Sequence, residues 1–567
     1  MFKNQPAGLY VLSLANTGER FGYYTMLAIF LLFLQAKFGF DSTVSGQIYA
    51  GFLALVYFMP LVGGWVADKW SFSKCVVTGI FVMFLGYLVM AIPTDIRSTS
   101  SLALLFVALV LIAIGTGLFK GNLQVMVGDL YNAPKYASQR DAAFSLFYMA
   151  INIGSMFAPM TATAMCNMAM KAQGLSYVAS LPALCNAYLD GAENAAELTQ
   201  VATENGMTVG SDVAAFANDY ISTLSTGYSY AFGVACISLV VSFLIYFLGK
   251  KTYAHIISDK KNAKASTAAA GGPELTPAQT KQRVVALLLV FAVVIFFWMV
   301  FHQNGATLTE FAKSCTSPEA WGWTRIGFNV WALLSIAVGV YALFNLFQSK
   351  GTTSRLVSVG ILVAVAAALW YFYANTENPV TGIQPQQYQQ FNPFYVVALT
   401  PVSLALFGWL AKKQKEPSAP RKIGYGMLMA AIAYGVMMLG SFAIAGTSAS
   451  VSPNWLISTY LLLTFAELLL SPMGISFVSK VAPPKLKGSM MGGWFAATAI
   501  GNYLVSIPML LWGKIPVWTL WCILIVICLV SAAFIFSIMK KLEAATSDTP
   551  SPAAEANALE NIEDDAI

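Results

Sequence analysis

Ala15-Asn16-Thr17-Gly18-Glu19-Arg20-Phe21-Gly22-Tyr23-Tyr24 sets an acid beside a base inside an apolar run that extends from about Leu9 to Gln35. A membrane-crossing helix needs roughly 20 mostly apolar residues, and this run is long enough. On such a helix Asn16, Glu19, Arg20 and Tyr23 fall at i, i+3, i+4 and i+7 and share one face. A charge at membrane depth costs a few kcal/mol or more, so it faces a partner or a polar cavity rather than lipid. Two readings follow: a buried ion pair that only orients helices, or one wall of a polar solute path. The second is preferred, because Asn16 and the hydroxyls of Tyr23 and Tyr24 share the region.

Composition places that run in a polytopic membrane protein. Hydrophobic residues make up 57% of the 567 and charged residues only 10%, against roughly 25% charged in soluble domains. Mean hydropathy is +0.66. The net charge of +6 needs no nucleic acid to explain it. The first apolar run lacks a basic n-region and carries Glu19-Arg20 inside it, unlike a cleavable signal peptide. The seven cysteines show no CxxC spacing and no cluster with either histidine, so no zinc or redox site, metal or other cofactor is expected.

Fourteen candidate spans start near residues 9, 46, 76, 102, 140, 226, 284, 326, 355, 392, 423, 455, 490 and 516. An even number puts both termini on one side. With that side cytoplasmic, inside loops and tails hold 24 of the 32 Lys and Arg, including Lys250, Lys251, Lys412, Lys540 and Lys541. Outside loops hold six, and Arg20 and Lys120 lie within the membrane. The expected organisation is a first six-helix bundle over residues 1–251 and a cytoplasmic linker over 252–283. A second bundle over 284–541 includes an extra hairpin at 326–374, and an acidic, Ala/Ser/Pro-rich tail over 542–567 reads as disordered. The outside segment 166–226 carries six acids against Lys171 and reads as one or two short helices forming a cap. Within it Cys166 and Cys185 are candidates for a disulfide or for two free thiols. The hairpin, uniformly apolar with Trp331 and Trp370 near its ends, is expected on the periphery of the second bundle.

This all-α plan, two six-helix bundles plus two extra spans, resembles the major facilitator superfamily. Gly63-Gly64-Trp65-Val66-Ala67-Asp68-Lys69 resembles that superfamily's inside loop motif, with Phe72 where Gly is usual. The motif would make Asp68 and Lys69 gating residues.

Six further stretches resemble the proton-dependent oligopeptide transporter family in particular. Asn16-Thr-Gly-Glu19-Arg20-Phe21-Gly-Tyr23-Tyr24 matches its first-helix signature except that Asn16 replaces an acid. Gly117-Leu-Phe-Lys120-Gly121-Asn122 matches its fourth helix, with Gly121 in place of Pro. Phe147-Tyr148-Met-Ala-Ile-Asn152-Ile-Gly154-Ser155 and Asn392-Pro393 with Pro401 match helices five and eight. Glu467-Leu-Leu-Leu-Ser471-Pro472-Met-Gly474 and Met491-Gly-Gly-Trp494-Phe495 match helices ten and eleven. The resemblance implies a secondary active importer of di- and tripeptides, working by proton-coupled symport and alternating access in a cell inner membrane. It implies a monomer with peptide, protons and lipid as partners.

The residue chemistry agrees. A short peptide is a zwitterion. Arg20 and Lys120 are cationic donors for its carboxylate, and Glu467 is an anionic partner for its ammonium. Asn152 and Asn392 each supply donor and acceptor. Tyr23, Tyr24, Tyr57 and Trp494 form amphipathic walls. Lys120 neutralised by Glu19, and Glu467 stabilising the break at Ser471-Pro472, are the competing structural readings. Because Asn16 cannot titrate, Glu19, Glu467 and His302 become the proton-coupling candidates. His302 stands where relatives tend to carry an acid, and an ordinary imidazole titrates near pH 6.5. Other expectations carried alongside are a different small anionic or zwitterionic solute, a weakly coupled peptide facilitator, and a membrane-embedded enzyme. The last lacks a nucleophile–base pair, a metal cluster or a phosphate loop.

Overall fold

The computed structural model describes residues 5–131, 134–137, 140–256, 276–349, 351–446, 449–483 and 486–547. Its long helices are α1 (Ala7–Phe38), α2 (Ser42–Lys69), α3 (Phe72–Ala91), α4 (Thr99–Asp129), α5 (Arg140–Ala172) and α6 (Val213–Leu248). Then follow α7 (Pro277–Phe301), α8 (Val330–Gln348), α9 (Thr352–Asn375), α10 (Phe391–Lys412), α11 (Ala419–Phe442), α12 (Asn454–Val481), α13 (Lys487–Leu504) and α14 (Val517–Ser537). Among the described residues, thirteen helices are long and apolar enough to cross a membrane. The chain is a multi-span membrane protein. Its α5 has 33 residues but is not apolar enough to count with those thirteen; Asn152, Ser155, Asn167 and Lys171 dilute it.

Side-chain caps set several helix starts. The Asp41 carboxylate accepts the Val44 N–H at 2.8 Å to open α2, and Asp212 accepts the Ala215 N–H at 3.0 Å to open α6. Thr276 and Gln279 form a capping box with Pro277 in the first turn. That cap corrects the expected linker: α7 begins at Pro277, seven residues before the expected start, and residues 257–275 lie outside the described ones.

Two separate apolar cores divide the helices. One is built by α1–α6 and the other by α7, α8 and α10–α14, with Met156 of α5 joining the second. The α1 helix is the axis of the first, with 83% of its apolar window buried. Phe33 meets Tyr228 and Phe232 of α6 edge-on at 5.8 and 5.2 Å. Helices α2 and α4 touch backbone to backbone, since a Cβ on Gly63 would overlap the Gly117 carbonyl. The Asn122 amide seals this crossing by donating to the Gly63 carbonyl at 3.2 Å. Gly63→Val forces the crossing apart, a cost of about 1–3 kcal/mol or more. A lowered melting midpoint of the purified variant checks this, and an unchanged midpoint refutes the close crossing.

Helix α7 does not run unbroken through its motif. It stops at Phe301, makes a tight turn over His302–Gly305 and resumes as Thr307–Ser314. Asn304-Gly305 is a turn dipeptide, which explains the break. The carbonyl of Asn304, freed by it, accepts from the Tyr460 hydroxyl and from Thr309 Oγ1, both at 3.0 Å.

Other expectations need adjustment. The segment after α5 carries two short helices, Leu181–Leu189 and Ala195–Glu204. They are fastened over α1 by Asn186 Nδ2, which donates to the carbonyls of Gln35 and Ala36 at 3.2 and 3.0 Å. Within it Cys166 and Cys185 are separate buried thiols. The stretch expected to be disordered from residue 542 is helical at its start, since Met539–Ser547 is a helix that buries Leu542 and Ala545. There Arg421 and Ser418 hold the Glu543 carboxyl below its usual range; residues 548–567 lie outside the described ones. The α8–α9 hairpin is less peripheral than expected. Its α9 is 6% buried over its apolar window, but α8 packs on α10 and also reaches α5 of the first bundle.

Candidate functional site

The two bundles enclose a central cavity of about 240 Å³ at the level of the motif residues. Arg20, Tyr23, Tyr24, Tyr57, Lys120, Asn152, Asn392, Glu467 and Trp494 all line it, and so does His302. Eight separate stretches of sequence therefore converge on one space. Its volume lies just below the usual 300–1,000 Å³ of small-molecule sites, so a ligand must be short or the walls must move.

The first bundle supplies the cations. Arg20 is 3% exposed and forked onto Glu19, with Nε donating to Oε2 and Nη2 to Oε1, both at 2.5 Å. Its guanidinium lies 4.8 Å from the centre of the Tyr23 ring. The Lys120 ammonium sits 4.2 Å above the Tyr57 ring. Among the described residues no carboxylate lies within ion-pair distance of Lys120, and both Glu19 oxygens are taken by Arg20. Glu19 itself is 1% exposed and touches the cavity only through Arg20.

The second bundle supplies the anion. Glu467 Oε2 accepts from Asn392 Nδ2 at 3.0 Å, and that amide also donates to Thr464 Oγ1 at 3.0 Å. Glu467 Oε1 accepts from the Tyr148 hydroxyl at 3.0 Å. Tyr148 belongs to α5, so this hydrogen bond crosses from one bundle to the other. No cation pairs with Glu467 among the described residues. Trp494 is held over Gly474, where a Cβ would collide with its six-membered ring. The glycine of one motif thus seats the tryptophan of the next.

His302 lies at the α7 break, stacked on Trp298 with ring centres 5.0 Å apart and 5.8 Å from Tyr57. Its Nδ1 is 2.5 Å from Asn502 Oδ1, and an amide oxygen there favours a proton on Nδ1. Asp68 closes the last turn of α2, but its side chain falls outside the described residues. Lys69 is exposed, its ammonium 3.7 Å from the Trp65 ring and away from the cavity.

Sequence reasoning missed Tyr148 and Asn502 as site residues. Tyr148 was legible from its spacing, since Tyr148 and Asn152 are i and i+4 on α5. Asn502 carried no signal, because its contact with His302 spans 200 positions.

Cross-bundle hydrogen bonds close the cavity on the side that carries the acidic cap. Gln35 of α1 donates to Glu310 and accepts from Lys313 Nζ at 2.7 Å. Gln389 donates to the Ala28 carbonyl at 3.2 Å, and Gln386 to Thr163 Oγ1 at 3.0 Å. No group of three or more His, Cys, Asp or Glu suited to a metal occurs among the described residues.

Comparison with known proteins gives the following. A family model described as the POT family matches residues 73–270 and 361–518. The chain is 26% identical to the uncharacterized transporter YclF of Bacillus subtilis (strain 168), over 91% of this chain and 90% of that protein. It is 26% identical to dipeptide and tripeptide permease A of Edwardsiella piscicida, over 87% of this chain and 84% of that one. The crystal structure of a peptide transporter POT in complex with sulfate superposes with a TM-score of 0.66 at 20% identity, covering 96% of both chains. A POT family transporter in complex with 5-aminolevulinic acid superposes with a TM-score of 0.64 at 19% identity, covering 96% of this chain and 98% of that one.

Proposed function

The chain belongs to the POT family, and from that premise we propose that it is a secondary active importer of di- and tripeptides, driven by protons and working by alternating access. One observation carries the reading. Lys120, with no carboxylate at ion-pair distance among the described residues, and the paired Arg20 stand on the first bundle, whereas the Glu467 carboxylate, hydrogen-bonded but without a cation partner among them, stands on the second. A zwitterion of peptide length satisfies both and so bridges the two halves. Its ammonium competes with Tyr148 for Glu467, and that exchange removes a hydrogen bond between the bundles at the moment of binding. Tyr23, Tyr24, Tyr57 and Trp494 then meet the side chains without selecting one. Asn152 and Asn392 supply donors and acceptors for the peptide backbone.

The coupling proton is assigned to Glu19 and Glu467, with His302 as the third titrating group of the cavity. Both acids are bonded to groups that substrate competes for: Arg20 for the first, Tyr148 and Asn392 for the second. Asp68 and Lys69 belong to the inner gate in this account. The protein works as a monomer in a cell inner membrane with both termini inside, and needs no cofactor besides the proton.

Binding of blocked peptides tests the assignment. Dialanine should raise the melting midpoint of the purified protein, whereas its N-acetyl derivative should not. Glu467→Gln keeps shape and hydrogen bonding but removes the charge. It should bind dialanine roughly ten- to a hundredfold more weakly and lose the discrimination against the acetylated form. An undiminished preference for the free amine in Glu467→Gln would move the ammonium site elsewhere.

A further inference from the structure

A second cavity, of about 840 Å³, lies between the α8–α9 hairpin and the two bundles. The passage of a solute through the central site makes no use of it. Met149, Ile153 and Met156 of α5 form one wall and Val397 and Leu404 of α10 another, with α8 and α9 closing it from outside. Besides Tyr341 and Gln348, the polar side chains along it are engaged within their own helices and hairpin. Asn345 Nδ2 donates to Ser354 Oγ at 3.0 Å and to Ser358 Oγ at 2.8 Å, and Thr400 Oγ1 donates to the Val396 carbonyl at 2.6 Å. What remains facing the space is mostly hydrocarbon.

The cavity is closed at one end and open to charge at the other. Toward the capped side Trp331 packs edge-on against Phe157 at 5.3 Å, and the Val330 N–H meets Met160 Sδ at 3.2 Å. These contacts pin the start of α8 to the first bundle. From there the lining runs along α8 from Leu334 to Gln348, beside the turn between α8 and α9. Next to that turn Arg355 is exposed, its Nε donating to the Ser349 carbonyl at 2.8 Å.

Water does not fill an apolar cavity, and an empty one forfeits the dispersion contacts of every atom that lines it. The volume is within the range of ligand-binding clefts. Along α8 the lining runs from Leu334 to Gln348, about 21 Å at 1.5 Å per residue. That exceeds the roughly 15 Å of hydrocarbon in one leaflet, half of a bilayer core. A linear chain entering at the turn therefore fits lengthwise. The molecules available at this depth are those of the bilayer.

We propose that this cavity is a phospholipid site: one acyl chain lies between α5, α8 and α10, and the anionic headgroup rests at Arg355 beside the α8–α9 turn. Because α5 belongs to the first bundle and α8 and α10 to the second, the chain lies across the seam along which the bundles move. The hairpin is its outer wall, which gives the extra pair of spans a task in a chain whose transport site lies elsewhere.

Photo-crosslinking tests this on the full chain in nanodiscs that contain phosphatidylglycerol with a mid-chain diazirine. Adducts are expected on Met149 and Ile153, which line the cavity and are only half-buried. Ala337→Trp and Ala405→Trp should each abolish those adducts while leaving labelling of the openly exposed Ile237 and Val530 unchanged. Arg355→Gln should weaken labelling by the anionic lipid but not by a phosphatidylcholine analogue. Wild-type adducts confined to open faces such as Ile237 and Val530 would overturn the site without recourse to any variant. Adducts on α5 that persist in both tryptophan variants would do the same, and an Arg355→Gln protein labelled like wild type would overturn the headgroup placement.

Discussion

Lys120→Ala lowers affinity for a dipeptide with a free carboxylate by roughly ten- to a hundredfold, the loss of a charge-assisted contact of about 1.5–3 kcal/mol. The expectation rests on the ammonium's surroundings. Lys120 lies over the Tyr57 ring at 4.2 Å and lines the cavity, with no carboxylate at ion-pair distance among the described residues. Its charge is therefore available to a ligand. Arg20 is a less clean probe, because Arg20→Ala also strands Glu19, and breaking a buried pair costs about 3–5 kcal/mol in folding. Competition binding with dialanine and with its C-terminal amide isolates the contact. Wild type should prefer the free acid, and Lys120→Ala should bind both forms about equally. Equal binding of acid and amide by wild type would remove the carboxylate from this end of the cavity.

The second large effect concerns energy coupling. Glu19→Gln is expected to abolish accumulation driven by a pH gradient while leaving peptide counterflow intact, since exchange requires no net proton movement. Glu19 is 1% exposed, and both its oxygens are bound by Arg20 at 2.5 Å. A peptide carboxylate that draws Arg20 away leaves a buried anion without a partner. Taking up a proton is the inexpensive way out of that state. Release of the peptide returns Arg20 and expels the proton. Asn16, one turn earlier, cannot share this work, and Asn16→Glu should shift the pH optimum of uptake by adding a second acid. Glu19→Gln protein that still concentrates dialanine against a gradient would assign coupling to Glu467 or His302.

Much of the site was legible because each contributor lies inside an apolar helix, where a charge or an amide is conspicuous. Glu19, Arg20, Lys120 and Glu467 stand out for that reason, and the structure brings all but Glu19 to one cavity, the cations on one bundle and Glu467 on the other. What was not legible depends on three-dimensional partners. The bond from Tyr148 to Glu467 joins residues 319 positions apart, and a tyrosine in a helix reads equally well as packing. The α7 break at Asn304-Gly305 hid inside a hydrophobic run, although the dipeptide itself was a turn signal. The hairpin presented a uniform apolar face, which fits lipid contact and helix contact alike. Periodicity could not show that α8 reaches α5. The end of the linker was misplaced because Pro277 and the Thr276 capping box precede the apolar run by a full turn or more.

Uptake of labelled dialanine into proteoliposomes, with an inward pH gradient imposed and then collapsed by a protonophore, tests the central claim most directly. The account predicts accumulation above the external concentration while the gradient lasts and decay to equilibrium once it is collapsed. Dialanine that fails to enter, or enters to the same level with and without the gradient, would contradict it.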